Sequence, residues 1–470
     1  MDQEAKQAVE KVKQESRTPI VSAILSDGSL VEMVYQREKH DTLFCVWKDD
    51  EFHYETALLQ KGRRLMPYSP NNDLITKPLV LFPSEPQEYE NEERLLAEIT
   101  QYIHRYVDVS PLFEKIASYY VLFSWVYDSF NELPYLRIRG DYGSGKSRFL
   151  TIVGSICYKP MFASGASTVS PIFRMLDSFK GTLIIDEGDF RASDATVEVV
   201  KIFNNGNTPQ FPVLRSEVSA NKEFKPKAYD VFGPKILAAR GFFQDRALES
   251  RFITEEMGHR RLRDDIPINL SSSYKEEALH IRNKLLLFRF RNFGKRKARE
   301  QLVDRSIEPR LNQIFVPLLS IIDDESTRQS LREVAREYNK EIISDRGMDM
   351  EAQVLEVIQE IRKSLYHPEL SIKEITSRFV DQHGEDFERK ITPHWIGHIV
   401  RRKLGLKTER HIAGYIIPPT EYSKLERLIE KYGLTATQAG SSGDSMNSMN
   451  SMNSVEDRGK DPDPQDSSPE

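Results

Sequence analysis

The feature that most constrains this 470-residue chain is an eight-residue run, Gly140-Asp141-Tyr142-Gly143-Ser144-Gly145-Lys146-Ser147. The run matches the pattern G-x-x-x-x-G-K-[ST] at every fixed position. Glycines in such a run let the backbone curl so that successive N–H groups point inward and bind phosphate oxygens. A β-type run, LPYLRIRG, leads into the motif, and a helical run, GKSRFLTIVGSIC, continues from it. We therefore predict a phosphate-binding loop (P-loop) formed by all eight residues.

A second run supplies the acidic partner that hydrolysis requires. The apolar residues Thr182 to Ile185 end in Asp186 and Glu187, in a position that fits a buried strand. We predict that Lys146 contacts the β- and γ-phosphates and that Ser147 and Asp186 bind Mg²⁺. Glu187 would polarise the attacking water as a general base. The pair favours ATP hydrolysis, with an ordinary acidic turn as the alternative.

The centre of the chain, about 133–255, alternates β-type and helical runs, which predicts an α/β fold with a parallel sheet. Short β-type runs within residues 20–70 indicate a small separate module. From residue 435 onward aliphatic and aromatic residues are almost absent, so we expect a disordered tail. The predicted domains are an N-terminal α+β module with a linker (1–110), a nucleotide-binding core (111–255), a helical lid or connector (256–345), a winged-helix domain (346–434) and the tail (435–470).

Composition narrows the possible partners and location. A net charge of −6 gives no overall attraction to nucleic acid, so any such binding must come from local basic patches. Cys45 and Cys157 lie far apart, which excludes a cysteine-based zinc site and a disulfide framework and suits a reducing cytoplasm. The polar N-terminus is not a signal peptide, and no run is long enough to cross a bilayer. The expectation is a soluble, cytoplasmic protein without a membrane partner.

A third segment, Arg246-Ala247-Leu248-Glu249-Ser250-Arg251-Phe252-Ile253, carries a family resemblance together with GDYGSGKS and LIIDE. The three segments resemble AAA+ ATPases, and Ser-Arg-Phe is similar to a motif of the minichromosome-maintenance helicases. The resemblance covers about residues 133–255 and implies a core with a helical lid that assembles as a homo-hexamer. It also implies that Arg251 acts as an arginine finger in the neighbouring subunit's ATP site, with Arg246 as a second candidate. A structural ion pair is the alternative role for Arg251.

Two further parts of the resemblance concern residues 211–240. The family usually places a sensor asparagine where the β-type run GPKILAAR ends, but this chain has Arg240 there. Residues 211–229 could form two strands around a basic turn, similar to the hairpin that these helicases insert into a central pore. Lys222, Lys225 and Lys227 would then contact single-stranded DNA. A plain surface hairpin is the alternative.

The C-terminal residues 351–433 are typical of a winged helix. Ser371 to Glu374 form a capping box that opens the second helix, and Thr392 with Pro393 opens the third. The exposed side of this third helix and the following wing would contact duplex DNA through His394, His398, Arg401, Arg402 and Lys407. The alternatives are that these residues only solvate an exposed helix or that the domain binds protein. The two histidines have no evident third ligand, so they do not indicate a metal site.

Three functions remain open from the sequence. The first is an ATP- and Mg²⁺-dependent DNA helicase or translocase that acts in the replication of a plasmid, phage or mobile element. The second is a non-motor ATPase switch, such as an initiator, loader or regulator, which would share all of these motifs. The third is a kinase or metabolic enzyme on a P-loop scaffold. No motif for binding the acceptor of a transferred phosphoryl group supports this third hypothesis.

Overall fold

The computed structural model describes residues 17–165, 167–186, 194–218, 224–241, 243, 245–258, 261–347, 350–363, 369–383, 391–411 and 414–434. Three predictions lie outside these residues: the general base Glu187, the hairpin lysine Lys222 and the tail 435–470. The chain forms two compact units, Met1–Lys340 and Glu341–Glu470. The predicted domain boundaries stay predictions.

The first unit begins with two small sheets. One is a three-stranded sheet of order β1-β7-β6 and the other a four-stranded antiparallel sheet of order β2-β3-β4-β5. The strands are β1 (Arg17–Ile20), β2 (Ser22–Ile24), β3 (Leu30–Gln36), β4 (Asp41–Lys48), β5 (Glu51–Glu55), β6 (Leu58–Gln60) and β7 (Arg63–Pro67). The central strands β3 and β4 are largely buried, whereas β5 is exposed.

The centre of the first unit is a parallel sheet, as the alternating sequence pattern predicts. Five parallel strands lie in the order β14-β8-β13-β10-β9. They are β8 (Tyr135–Arg139), β9 (Met161–Ser164), β10 (Leu183–Asp186), β13 (Lys235–Ala239) and β14 (Phe252–Glu256). Strands β11 (Val213–Val218) and β12 (Phe224–Tyr229) form a separate antiparallel hairpin. Because β13 lies between β8 and β10, the carboxyl ends of these three strands meet at one edge of the sheet.

Helices surround this sheet and supply most of the remaining core. In the first unit they are α1 (Asp73–Thr76), α2 (Glu92–Tyr106), α3 (Pro111–Ser124), α4 (Lys146–Ile156), α5 (Val169–Phe179), α6 (Asp194–Asn205), α7 (Arg246–Glu249), α8 (Ser273–Asn292) and α9 (Pro309–Ile321). Helix α10 (Glu325–Gly347) leads into the second unit. Helix α3 shows how the sequence sets a boundary: Ser110 accepts a hydrogen bond from the backbone N–H of Phe113, and Pro111 occupies the first turn. Every residue of α3 from Ile116 to Ser124 is buried, which explains its apolar run.

A buried charge network joins the N-terminal sheet to the rest of the first unit. Glu32 on β3 is 3% exposed and accepts hydrogen bonds from the Tyr158 hydroxyl at 2.7 Å and from Arg289 Nε at 2.7 Å. Its other oxygen lies 2.8 Å from Lys159 Nζ. Arg289 on α8 also binds Asp128 at 2.7 Å. Each charge in this network therefore has a partner of opposite sign, which buried ions require.

A second buried lysine is held by backbone carbonyl oxygens. Lys235 at the start of β13 is fully buried, and its ammonium group donates to the carbonyl oxygens of Gly206, Val231 and Gly233 at 3.2, 3.0 and 2.9 Å. The group also lies 4.9 Å from the centre of the Tyr135 ring. Burial lowers the pKa of Lys235 from its ordinary value of 10.5 to about 7, with nearby Asp230 acting in the opposite direction.

This lowered pKa makes folding stability depend on pH. Between about pH 7 and 10.5 the unfolded chain binds a proton at Lys235 that the folded chain lacks, so the free energy of unfolding rises with pH. Urea unfolding at about pH 7.5 and about pH 8.5 should show this rise, with Lys235 contributing at most about 1.4 kcal/mol per pH unit. The variant Lys235→Met should show a smaller rise. Equal rises in both proteins would show that Lys235 stays protonated when folded.

Beyond the end of α10, the described residues of the second unit form four α-helices and a small sheet. They are α11 (Met350–Lys363), α12 (Ile372–His383), α13 (Pro393–His398), α14 (Tyr422–Lys431), β15 (Glu409–His411) and β16 (Gly414–Ile416). The two predicted helix starts are confirmed: Glu374 N–H donates to the Ser371 hydroxyl at 3.1 Å, and Trp395 N–H donates to that of Thr392 at 3.3 Å. The predicted apolar positions Val354, Ile375 and Ile396 lie in one core.

Across both units, no helix within the described residues has the length and apolar character needed to span a bilayer.

Candidate nucleotide site

The P-loop lies between β8 and α4, as the motif requires. Gly145 has a φ of 95°, and α4 begins at the next residue, Lys146, without any side-chain cap. The first N–H groups of a helix have no partner within the helix, so those of α4 are available to bind an anion. A Cβ atom at Gly140 would lie 2.5 Å from the carbonyl oxygen of Met257, so only glycine fits there. The loop geometry is thus that of a phosphate cradle.

The predicted ligand-contacting side chains lie around one cleft beside this loop. Lys146, Ser147 and Asp186 all line a cleft of about 310 Å³, together with residues Tyr142 to Gly145 of the P-loop. The ammonium group of Lys146 donates to the carbonyl oxygens of Gly140 and Asp141 at 2.7 and 2.6 Å. Both partners are neutral, so a phosphate could replace them without breaking an ion pair. The structure therefore brings together three residues that are up to 40 positions apart in sequence.

The donor atoms in this cleft suit a magnesium ion. Ser147 offers a hydroxyl oxygen and Asp186 a carboxylate oxygen, which are hard ligands of the type that Mg²⁺ prefers. Mg²⁺ is commonly held by one or two carboxylates plus water and substrate phosphates, so a site with a single described carboxylate fits it. Within the described residues no group of three or more histidine, cysteine, aspartate or glutamate side chains forms a metal site by itself.

A larger cleft of about 620 Å³ shares the P-loop residues Tyr142 to Gly145 with the first cleft. It is lined by Tyr106 at the end of α2, by Val107 and Asp108 that follow it, and by an apolar set consisting of Met257, Leu262, Ile266 and Ile268. A volume in this range is typical of a small-molecule site, and apolar side chains beside a phosphate cradle suit a nucleobase. We did not predict this cleft from the sequence, because its walls come from segments that are far apart and carry no motif.

Arg240 lies at the phosphate end of the sheet, although the sequence analysis noted it only as a departure from a family pattern. It directly follows β13 and lines both clefts. Its guanidinium lies 4.6 Å from the centre of the Tyr142 ring and donates to the Tyr142 hydroxyl. Tyr142 is itself 78% exposed at the tip of the P-loop. A permanent positive charge therefore stands beside the site where phosphates would bind.

Arg251 lies at the opposite end of the same strands. Its carbonyl oxygen accepts a hydrogen bond from Tyr135 N–H at 3.0 Å, at the start of β8, whereas the P-loop follows the end of β8. Five residues of strand separate these points, which corresponds to roughly 17 Å. The Arg251 guanidinium donates to the side chain of Asn204 at 2.7 Å and to the carbonyl of Ala247. Arg251 therefore does not reach the P-loop of its own chain, while the side chain of the second candidate, Arg246, lies outside the described part.

A buried ion pair connects the P-loop strand to the segment that carries Arg251. Arg137 on β8 is 2% exposed and binds both carboxylate oxygens of Glu249 on α7, one of them at 2.7 Å. Its Nε also donates to the Thr254 hydroxyl at 3.1 Å. The planar guanidinium lies against the rings of Phe243 and Phe252, at 5.5 and 5.2 Å. A bidentate pair of this kind fixes the position of α7 relative to β8.

The predicted hairpin is present, and its two described lysines are exposed on the strand face that also carries Glu217. Lys225 and Lys227 lie opposite Glu217 and Arg215, and alternation along the strands puts all four on one face. Lys227 lies 3.7 Å from Glu217 and 4.7 Å from the centre of the Tyr229 ring.

This face packs toward α5. Arg174 on α5 binds Glu217 at 2.9 Å, and the Phe173 and Tyr229 rings are 4.6 Å apart. The opposite face exposes Leu214 and Phe224.

The predicted basic surface of the second unit is exposed. His394, His398, Arg401, Arg402 and Lys407 are all accessible to solvent. Residues Ile399–Lys403 form a π-helical turn, in which Leu404 N–H donates to the Ile399 carbonyl at 3.0 Å. The Arg401 guanidinium lies 5.6 Å from the centre of the Tyr415 ring on β16, so it is directed toward the small sheet. The residues are accessible, and their contact with DNA stays a prediction.

No protein-family model matches the chain, and no curated protein matches it. Among solved structures, the C-terminal region of NrS-1 is 12% identical, with a TM-score of 0.34 and coverage of 82% of this chain and 95% of that one. A structure of JCV helicase is 13% identical, with a TM-score of 0.23 and coverage of 43% and 60%. Because identities and TM-scores are both low, neither likeness carries a conclusion about the chemistry of this chain.

Proposed function

We propose that this chain is an ATP-dependent DNA helicase or translocase that works in replication of a plasmid, phage or mobile element. The observation that carries the proposal is the cleft in which Lys146, Ser147 and Asp186 meet beside the uncapped start of α4. This arrangement binds a triphosphate through backbone N–H groups, one ammonium group and a divalent cation. The apolar cleft next to it would take the adenine base.

Different residues of the chain would have different roles in ATP hydrolysis. The P-loop amides and Lys146 hold the β- and γ-phosphates in place, and Glu187 accepts a proton from the attacking water. Mg²⁺ bound at Ser147 and Asp186 would neutralise charge that develops on the phosphates. Arg251 would complete the site of a neighbouring copy, because its distance from its own P-loop excludes a role there. A ring, most simply a homo-hexamer, gives every P-loop such a neighbour.

Two surfaces would contact DNA. The hairpin of β11 and β12 would follow single-stranded DNA in the centre of the ring. The second unit, proposed to be a winged helix, would contact duplex DNA through the exposed basic residues of α13 and the turn that follows it. Cations there would bind phosphate oxygens and supply affinity that depends on salt.

One observation favours a second candidate, the non-motor ATPase switch. Lys227 lies 3.7 Å from Glu217 while its side chain is 53% exposed, so this surface ion pair would have to break before Lys227 binds a DNA phosphate. An initiator or loader would use ATP to assemble on DNA without pushing a hairpin along a strand.

The test combines three measurements on the full chain. ATP hydrolysis is measured with and without single-stranded DNA, the assembly is weighed by native mass spectrometry with ATP bound, and strand displacement is followed on a forked DNA. We expect DNA-stimulated hydrolysis, a ring and strand displacement. The variant Lys225→Ala/Lys227→Ala should retain hydrolysis and lose displacement, whereas the control Lys39→Ala/Lys61→Ala, which changes exposed lysines of the N-terminal sheets, should retain both.

The outcomes separate the candidates. Hydrolysis and assembly without displacement would overturn the motor and support the switch. A monomer whose ATP hydrolysis rate does not change when DNA is added would overturn both the motor and the switch. That result would favour an enzyme that phosphorylates a small molecule. Absence of any adenine nucleotide binding in the presence of magnesium would overturn every P-loop assignment.

A further inference from the structure

A cationic cleft lies at the end of the sheet opposite the P-loop. It has a volume of about 380 Å³ and is lined by Asn204, Asn205, Asn207, Thr208, Phe211, Arg251, Arg310, Gln313 and Ile314. Arg310 belongs to α9, outside every motif that the sequence analysis identified. The lining therefore contains two guanidinium groups and several neutral polar side chains, and no carboxylate among the described residues.

The two guanidinium groups are held close to one another. Arg310 donates to the carbonyl oxygen of Ala247 at 2.8 Å, and Arg251 donates to the same atom. Burial is the main cause that lowers the pKa of Arg251, and the nearby charge of Arg310 lowers it further. Two like charges that share one neutral acceptor repel each other, and this repulsion is relieved when an anion binds between them.

Neither arginine is fully used by its own subunit. Arg251 donates to the side chain and the carbonyl oxygen of Asn204 and to the Ala247 carbonyl, and the charge of Asp245 acts to raise its pKa. A guanidinium has five N–H donors, and Arg310 has one described acceptor, the Ala247 carbonyl. N–H donors that stay available in a cationic cleft, whose described lining has no carboxylate, fit the oxygens of a phosphate group.

We infer that Arg251 and Arg310 together form an anion site that receives the terminal phosphates of a nucleotide bound to a neighbouring copy of this chain. The inference rests on the proposed ATPase function and adds Arg310 as a second residue that contacts substrate in trans. Asn205, Asn207 and Gln313 supply neutral amide groups around the same anion.

The first test is the variant Arg310→Gln. Glutamine keeps an N–H donor for the Ala247 carbonyl but removes the positive charge. The variant therefore tests the charge of Arg310 separately from its hydrogen bond to Ala247. We expect ATP turnover to fall about tenfold or more, while ATP binding by an isolated subunit and the melting temperature stay close to those of the wild type. Arg310→Lys should recover part of the lost turnover, and the matched control Arg305→Gln, at an exposed position just before α9, should change nothing.

The second test asks whether Arg310 acts on a neighbour. Lys146→Ala has an inactive P-loop but keeps the cleft of Arg251 and Arg310. Arg310→Gln keeps the P-loop but lacks one charge of that cleft. Mixing equal amounts under conditions that allow subunits to exchange should restore turnover at about a quarter of the interfaces, where an intact P-loop meets an intact cleft.

Each outcome has a separate meaning. No recovery on mixing, with mixed assemblies shown by mass, would overturn a role in trans. Wild-type turnover in Arg310→Gln would overturn the two-arginine site while leaving the ATPase proposal intact. A wild-type protein that hydrolyses no ATP would overturn the proposed function itself.

Discussion

Replacing Lys146 with alanine is expected to abolish ATP turnover, with a loss of about a hundredfold or more. Lys146 is the only described ammonium group in the cleft that also contains Ser147 and Asp186. Its charge is held by two neutral carbonyls of the P-loop, so it is available to the phosphates. Loss of this charge removes both a ground-state contact and stabilisation of the charge that develops during phosphoryl transfer.

Phosphate release at saturating ATP measures the turnover, and calorimetry with ATP and ADP measures binding. The matched control is Lys115→Ala, an exposed lysine on α3. The control should behave as the wild type in both assays, and both variants should melt at the same temperature. Turnover by Lys146→Ala within a few fold of the control would mean that the Gly140–Ser147 loop is not the catalytic phosphate site.

The largest effect on stability is expected at Glu32. Glu32→Ala leaves Lys159 and Arg289 buried, with Asp128 as the nearest remaining carboxylate. Breaking a buried ion network by removing one partner typically costs about 3–5 kcal/mol, because the remaining charges stay buried without compensation. The pKa of Lys159 is already lowered to about 8, mainly by burial, and Glu32 is the first of the groups that oppose this shift. Without Glu32, Lys159 should lose its proton more readily.

Urea unfolding of the full chain, monitored by tryptophan fluorescence, measures the decrease in the free energy of unfolding. The control Glu51→Ala removes an exposed glutamate from β5 of the same sheet and should change the free energy of unfolding by less than about 0.5 kcal/mol. An equally small change for Glu32→Ala would show that the network adds little to the connection between the N-terminal sheet and the core.

The parts of this protein that the sequence predicts well are those with local causes. The P-loop depends on the conformations of consecutive residues, and the glycines and the uncapped start of α4 follow from them. The parallel sheet follows from the alternation of apolar strands and helices. The starts of α12 and α13 follow from side chains that bond to the backbone three residues ahead.

The parts that escaped prediction depend on contacts between distant segments. Arg240 reaches the phosphate end only because β13 lies between β8 and β10, and strand order cannot be derived from single-strand patterns. Arg310 has no motif around it, and its relation to Arg251 appears only when α9 packs beside α7. The hairpin is an intermediate case: alternation shows that Lys225 and Lys227 share a face, but only the packing of α5 shows which way that face points.

The separation between the P-loop and Arg251 along β8 and β14 has a consequence for how activity would be controlled. A solitary molecule carries both halves of the proposed reaction centre, yet they point away from each other and cannot serve the same nucleotide. The proposed ATP turnover per chain would then rise with the local concentration of the protein, because a higher concentration brings more copies into contact. Dispersed copies would hold nucleotide without consuming it.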